Sequence, residues 1–301
     1  MRIGIDLGGS KIEVAPLAPG GVVLFRHRIA TPRSYPAVLE ALVPLVRQAA
    51  QKAGETCSIG LAIPGTISPA TGLVKNANST WLNGKPLAQD LVQLLGQEVR
   101  IANDANCFDL SEAADGAGAG AGTVFGVILG TGVGGGLVVD GNLHTGANAI
   151  AGEWGHNPLP WSAPEELPGP RCWCGQRGCI ETFLSGPGLS REIEARTAQR
   201  LEPENLVAQA AAADRGCEVS LVRYENRLAR ALAHLINIVD PEIVVLGGGM
   251  SNIARLYQDV PAIWDRWIFS DRVDAGLAPP KHGDSSGVRG AAWLWSEESL
   301  R

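Results

Sequence analysis

"RIGIDLGGSKIEVAPL", residues 2–17, is the stretch on which the fold turns. Apolar residues alternate with others on either side of Gly8-Gly9, so residues 2 to 7 and 12 to 17 read as two strands joined by a glycine turn. Residues 21 to 30 add a third strand-like stretch. The same plan of strand, glycine turn with a hydroxyl residue, and strand returns at "TVFGVILGTGVGGGLVVDG", residues 123–141. A strand running into a glycine turn comes once more at "PEIVVLGGGMS", residues 241–251. Between these landmarks the pattern predicts a helix over 36–53, a strand at 58–63 closed by Pro-Gly, and a helix over 87–96. The strand "EVRIAN" then meets the helix "DANCFDLSEAA" with Asp104 at the junction. Residues 150–182 read as irregular, 186–239 as mostly helical, and "SSGVRGAAWLWSEES" as a closing helix. A Gly/Ala-rich stretch at 111–122 marks the boundary between two lobes, and 301 residues that are 45% hydrophobic suffice for the cores of both.

Glycine leaves no Cβ between backbone N–H groups and a ligand and tolerates positive φ, so each turn is a candidate anion nest. Any one alone is equally well a tight hairpin that needs glycine. The first turn also sets Asp6 just before it and Ser10 and Lys11 just after it. A carboxylate there suits Mg²⁺ carried on a polyphosphate, because magnesium keeps most of its water and takes few protein oxygens. The chain has neither the GxxxxGK[ST] of a P-loop nor a GxGxxG opening a helix in a βαβ unit, which excludes those two nucleotide folds.

Net charge is −6 with both signs interspersed, so no cationic face is expected and nucleic acid is not an expected partner. No apolar run approaches the roughly 20 residues that span a bilayer, and the N-terminus enters a strand without a leader, which predicts a cytoplasmic protein with no membrane partner. In a reducing compartment the cluster Cys172, Cys174 and Cys179 reads as metal ligands rather than disulfides. With His156 it makes His-x15-Cys-x-Cys-x4-Cys, the composition of a closed, tetrahedral Zn²⁺ site. Reduced thiols on a surface loop are the plainer alternative, while the lack of a Cys-x-x-Cys pair argues against redox chemistry. Cys57, Cys107 and Cys217 lie in apolar segments and read as core.

The turns "DLGGSK" and "GTGVGGG" and the late "VLGGGMS" resemble the two phosphate motifs and the adenosine motif of the sugar-kinase, heat-shock ATPase and actin superfamily. Within it, "GEWGHNPL" followed by "CWCGQRGCIE" resembles the family of repressors, open reading frames and kinases. "KNANSTWLNG", "ANDANC", "GEWGHNPLPW" and "HGDSSGVRGAAWLW" are similar to its bacterial manno(fructo)kinases. The resemblance implies an α/β, two-lobed actin-like or hexokinase-like ATPase fold with ribonuclease H-like lobes and a central cleft. Residues 1–115, completed by a C-terminal helix at 287–301, would form the small lobe, and 116–286 the large lobe, carrying the zinc segment 150–182.

It further implies ATP and a hexose as ligands, with transfer to the 6-hydroxyl of fructose or mannose. Glucose or an N-acetyl sugar is the second reading, and a non-catalytic sugar sensor or repressor the third. The absence of room for a helix-turn-helix before Asp6 speaks against a repressor. ATP would be held by Asp6, Gly8, Gly9, Ser10, Lys11, Gly130, Thr131, Gly132, Gly247 and Gly248, with Mg²⁺. The sugar would be held by Asn78, Asn103, Asp104, Glu153, His156 and Glu181, with Asp104 as catalytic base. Structural Zn²⁺ would be held by His156, Cys172, Cys174 and Cys179, and the family is commonly homodimeric. Capping for Asn103 and Asp104, and turn chemistry for Asn76 and Asn78, are the ordinary roles these residues would otherwise have.

Overall fold

Strands appear where the alternation places them. The computed structural model describes residues 1–54 and 57–296, and in it β1 (Arg2–Leu7) and β2 (Lys11–Leu17) pair antiparallel, with Leu7 opposite Ile12. The third stretch is shorter than its sequence suggests: only β3 (His27–Ala30) is a strand. Gly20 and Gly21 adopt φ of +76° and +81°, which turns the chain away from β2 before the ladder resumes. Helix α1 (Tyr35–Ala53) ends on Gly54 in the left-handed conformation. Then come β4 (Ser58–Ile63), the two-stranded ribbon β5 (Thr66–Ile67) and β6 (Val74–Lys75), helix α2 (Leu87–Leu95), β7 (Val99–Asn103) and helix α3 (Asp104–Asp115). The first sheet has the order β3-β2-β1-β4-β7, parallel from β1 to β7. Ile3, Ile5, Leu61 and Ile63 are among the side chains that give it a buried core.

The second sheet has the order β10-β9-β8-β11-β12. It comprises β8 (Thr123–Leu129), β9 (Val133–Val139), β10 (Asn142–Leu143), β11 (Ile243–Gly247) and β12 (Gly276–Ala278). Between β10 and β11 run α4 (Ile180–Leu184), α5 (Gly186–Thr197), α6 (Pro203–Ala211) and the long α7 (Arg215–Val239), and after β11 the short α8 (Leu256–Asp259) and α9 (Pro261–Trp264). Residues 150–182 before α4 are irregular, as their composition suggests. They are anchored by a charge cluster that the sequence does not announce. Buried Glu166 accepts from Arg227 Nε at 2.8 Å and from Arg230 Nη2 at 2.9 Å, while Arg230 Nη1 also donates to the carbonyls of Pro160 and Trp161. A buried carboxylate paired this fully escapes the desolvation cost that an isolated one would carry.

Contacts divide the chain into two compact units, one of residues 1–120, 136–151 and 281 onward, the other of 121–135 and 152–280. Residues 116–120, 136–151 and 281–286, expected in the large lobe, thus have their contacts in the first unit. The reasons are local. A Cβ on Gly136 would lie 3.0 Å from Asn106 Oδ1 of α3, and the N–H groups of Lys281 and His282 donate to buried Glu112. The chain then ends the first unit with α10 (Ser286–Trp293), packed on β1, β4 and α3. That packing is backbone-close: a Cβ on Gly4 or Gly60 would sit 1.8 Å from Val288 O or 1.7 Å from Ala291 O. Only glycine allows it. Residues 297–301 of the expected closing helix lie outside the described residues.

Candidate active site

In the first unit, β1 and β7 each deliver a carboxylate at their C-terminal ends. Asp6 sits one residue before the end of β1, and Asp104 opens α3 directly after β7. The two are near enough for their charges to interact. Burial first, and then the negative charge of Asp104 and Glu13, pushes the carboxyl of Asp6 up to about 6 from 3.8. Asp6 also packs against the start of α10, where a Cβ on Gly287 would lie 2.8 Å from its Oδ2.

This shift has a sign for stability. The folded protein holds a proton on Asp6 more tightly than the unfolded chain does, so the group destabilises the fold increasingly as pH rises from about 4 through about 6. Asp6→Asn is therefore expected to stabilise the ligand-free protein at pH 8 by up to about 3 kcal/mol and to give no gain near pH 4. Thermal melts of both proteins across that range check it, and equal midpoints at pH 8 refute it.

The glycine turn after β1 is closed by Gly8 N–H donating to Lys11 O at 3.0 Å. Thr31 pins it from outside, its Oγ1 donating to Gly8 O at 2.7 Å and its N–H to Ser10 O at 3.0 Å. Gly9 and Ser10 stand exposed, and Lys11 is half-buried. Asn103 caps α3, with Oδ1 accepting from Ala105 N–H at 2.9 Å and Nδ2 donating to Gly65 O at 3.2 Å. The amide still has one N–H to offer. Asp104 Oδ1 accepts from the same Ala105 N–H at 2.8 Å. Asn78 is exposed, and its loop is held by Asn83, whose side chain bonds both the N–H and the carbonyl of Ala77 at 2.9 and 3.0 Å. Thr31 belongs to no motif and Asn83 sits within "KNANSTWLNG" without an assigned role, so neither stands out in the sequence.

In the second unit the turn after β8 repeats the closure, with Gly130 N–H donating to Gly132 O at 2.9 Å. Gly186 N–H, at the head of α5, donates to Gly130 O at 2.8 Å. The turn after β11 lies against this one, since a Cβ on Gly248 would meet Leu129 O at 2.4 Å. The turns at 130–132 and 247–248 therefore come together. The expectation that these glycines serve positive φ holds for Gly248 alone, at +79°. Gly8, Gly9, Gly130, Gly132 and Gly247 are not left-handed, so what they supply is the missing side chain.

Glu181, in the first turn of α4, reaches the same turn: Oε2 accepts from Val133 N–H at 3.0 Å, and Oε1 from the Trp173 indole at 2.8 Å. His156 and Glu153 flank the buried Trp154, whose indole donates to Gly134 O at 2.9 Å. Glu153 itself is exposed.

The ligand atoms of His156, Cys172, Cys174 and Cys179 all lie within 4.8 Å of one another. Cys172 Sγ is 3.6 Å from His156 Nδ1, and Cys174 Sγ is 3.7 Å from Cys179 Sγ. Zinc bonds of about 2.3 Å to sulfur and 2.0 Å to nitrogen place tetrahedral neighbours about 3.6 to 3.8 Å apart, so the donor set fits the ion. All six cysteines are free thiols. Burial and the neighbouring thiols push Cys179 up to about 12, while hydrogen bonds, from the Gln176 backbone first, lower Cys174. The segment is preformed: Cys172 N–H donates to Gln176 O at 2.9 Å, and Ile180 N–H to Asn157 O at 2.8 Å.

Comparison with known proteins places the chain among sugar kinases. A family model described as ROK family matches residues 2–298. The chain is 39% identical over 299 residues to an N-acetyl-D-glucosamine kinase of Yersinia pseudotuberculosis, covering 98% of each. The ROK hexokinase of Thermus thermophilus superposes with a TM-score of 0.87 at 29% identity, covering 97% of both chains. A ROK family glucokinase of Streptomyces griseus, solved with glucose and AMPPNP, superposes at 0.77 with 27% identity, over 97% of this chain and 98% of that one. The two-sheet α/β architecture is thus the hexokinase-like, actin-like ATPase fold. Among the described residues no helix is long and apolar enough to cross a membrane.

Proposed function

The chain belongs to the ROK family, and from that premise we propose that it is an ATP-dependent kinase of an N-acetylhexosamine, with N-acetyl-D-glucosamine as the first candidate substrate and its 6-hydroxyl as the acceptor. The observation that carries the chemistry is the pair of carboxylates in the first unit, Asp6 beside the glycine turn and Asp104 at the head of α3. Phosphoryl transfer to an alcohol needs little covalent help from the protein. It needs an aligned hydroxyl with a proton acceptor, and charge compensation on the phosphates. Asp104 is offered as that acceptor. Asp6 is offered as the group facing Mg²⁺ on the nucleotide, and the ion supplies compensation of the phosphate charge when bound.

The choice of sugar rests on the Yersinia relative, whose name specifies N-acetyl-D-glucosamine. The fructose and mannose reading draws no support from that relative. In the second unit Glu181, Glu153 and His156 are offered as partners for sugar hydroxyls, and Asn78 and Asn103 in the first. His156 turns Nδ1 toward the thiols, which leaves Nε2 for a hydroxyl. His156, Cys172, Cys174 and Cys179 would hold zinc, whose contribution is to cross-link residues 156–179. An ADP-release assay with Mg·ATP across N-acetyl-D-glucosamine, N-acetyl-D-mannosamine, glucose, mannose and fructose tests the reading. Highest kcat/KM on an N-acetyl sugar is expected. Highest kcat/KM on fructose or mannose reinstates the other sugar class, and no turnover on any leaves the sensor reading.

The phosphate turns are tested best at Gly130. A Cβ there meets nothing within 4 Å, whereas one on Gly132 would lie 2.7 Å from Glu181 Oε2 and disturb that carboxylate as well. Gly130→Val is expected to weaken Mg·ATP binding roughly tenfold or more by filling the space above the turn while leaving the melting midpoint near that of the parent. Calorimetric ATP affinity within error of the parent would remove residues 130–132 from the phosphate site.

A further inference from the structure

The residue between the first two cysteines has no part in holding a metal, yet it is tied to Glu181 more directly than any cysteine. Trp173 is 68% exposed, an uncommon setting for so large an apolar ring. Its indole Nε1 donates to Glu181 Oε1 at 2.8 Å. Its ring stands edge-on to His156, with centroids 5.0 Å apart and planes at 85°. It therefore touches two of the residues read above as sugar partners. The other Glu181 oxygen is held by Val133 N–H. Among the described residues Cys172 Sγ, 3.8 Å from Oε1, is the other neighbour, and a metal-bound thiolate has no proton to donate. With zinc present the indole N–H is the fixed donor on that oxygen.

We propose that Trp173 is a positioning residue for sugar binding: its N–H fixes the carboxylate of Glu181 so that the lone pairs left over face a hexose hydroxyl. The inference rests on the reading of Glu181 as a sugar partner. A free glutamate side chain samples several rotamers, and ordering it at the moment of binding subtracts from affinity. A tryptophan with only two torsions, already braced on His156, imposes that order in advance. A leucine at the same position would leave the cysteine spacing intact and remove this donor, so the effect belongs to the side chain at position 173.

Trp173→Phe keeps the ring against His156 and deletes only the donor. In zinc-loaded protein it is expected to weaken binding of N-acetyl-D-glucosamine and of glucose by calorimetry roughly tenfold, the scale of one hydrogen bond to a charged acceptor. Metal content and the KM for Mg·ATP should stay within twofold of the parent. In a Glu181→Gln background the same change should add less than about twofold, because the carboxylate it orients is gone. Unchanged sugar affinity in Trp173→Phe overturns the proposal, and so does a loss that is equal in the Glu181→Gln background or that comes with lost zinc, either of which marks a merely structural tryptophan. If the parent binds neither sugar, the failure lies with the reading of Glu181 and not with the orientation of its carboxylate.

Discussion

Asp104→Asn should fold, bind Mg·ATP within about twofold of the parent and lose roughly 10² to 10⁴ in kcat, the range for removing a general base. The structure makes this a clean experiment. Asparagine at 104 keeps the shape and an oxygen able to accept from Ala105 N–H, while the cap of α3 is made independently by Asn103. Helix capping by residue 104 therefore predicts no measurable change, since asparagine serves a helix N-terminus about as well as aspartate. Proton acceptance predicts a nearly inactive enzyme, because a carboxamide cannot take the proton of the sugar hydroxyl. Single-turnover kinetics on the preferred sugar, with circular dichroism and ATP calorimetry as controls, decide between them. Near-native kcat would take Asp104 out of the chemistry.

Metal removal is expected to have the next largest effect. Stripping zinc from the protein should lower the melting midpoint by about 10 °C, the scale of a loss of several kcal/mol in a domain of this size. Sugar affinity should fall at least tenfold, because Glu181 and His156 are both held through the cysteine block. Residues 160–166 should stay in place, since Glu166 with Arg227 and Arg230 anchors them without the cysteines. Partial rather than global loss of structure is thus the forecast, readable by hydrogen exchange confined to residues 169–181. An unchanged midpoint and unchanged sugar affinity in metal-free protein, verified by elemental analysis, would show the four side chains to be an idle cluster.

Asp6→Asn bears on turnover as well as on stability. Its expected gain in stability at pH 8 should come with poorer turnover, as when a charge is kept in an unfavourable place for the sake of the chemistry.

Local chemistry was legible without the structure. Alternation about Gly8-Gly9, the repeat at 123–139 and the strand at 243–247 followed from side-chain periodicity, which records the face each residue presents and needs no distant partner. Asn103 was recognisable as a cap from its place between a strand and a helix. The ligand spacing His156, Cys172, Cys174 and Cys179 named a donor set that the folded chain gathers. Tertiary structure alone decided what depends on residues far apart in the chain. It placed α10 so close to β1 and β4 that Gly4 and Gly60 admit no side chain, and it returned residues 136–151 to the first unit. It spent the carboxylate of Glu166 on Arg227 and Arg230, and it aimed the Trp173 indole at Glu181. None of these has a sequence period, because each is set by where two backbones approach in space. A glycine in a strand looks the same whether a helix lies against it or water does, and only the helix makes it indispensable.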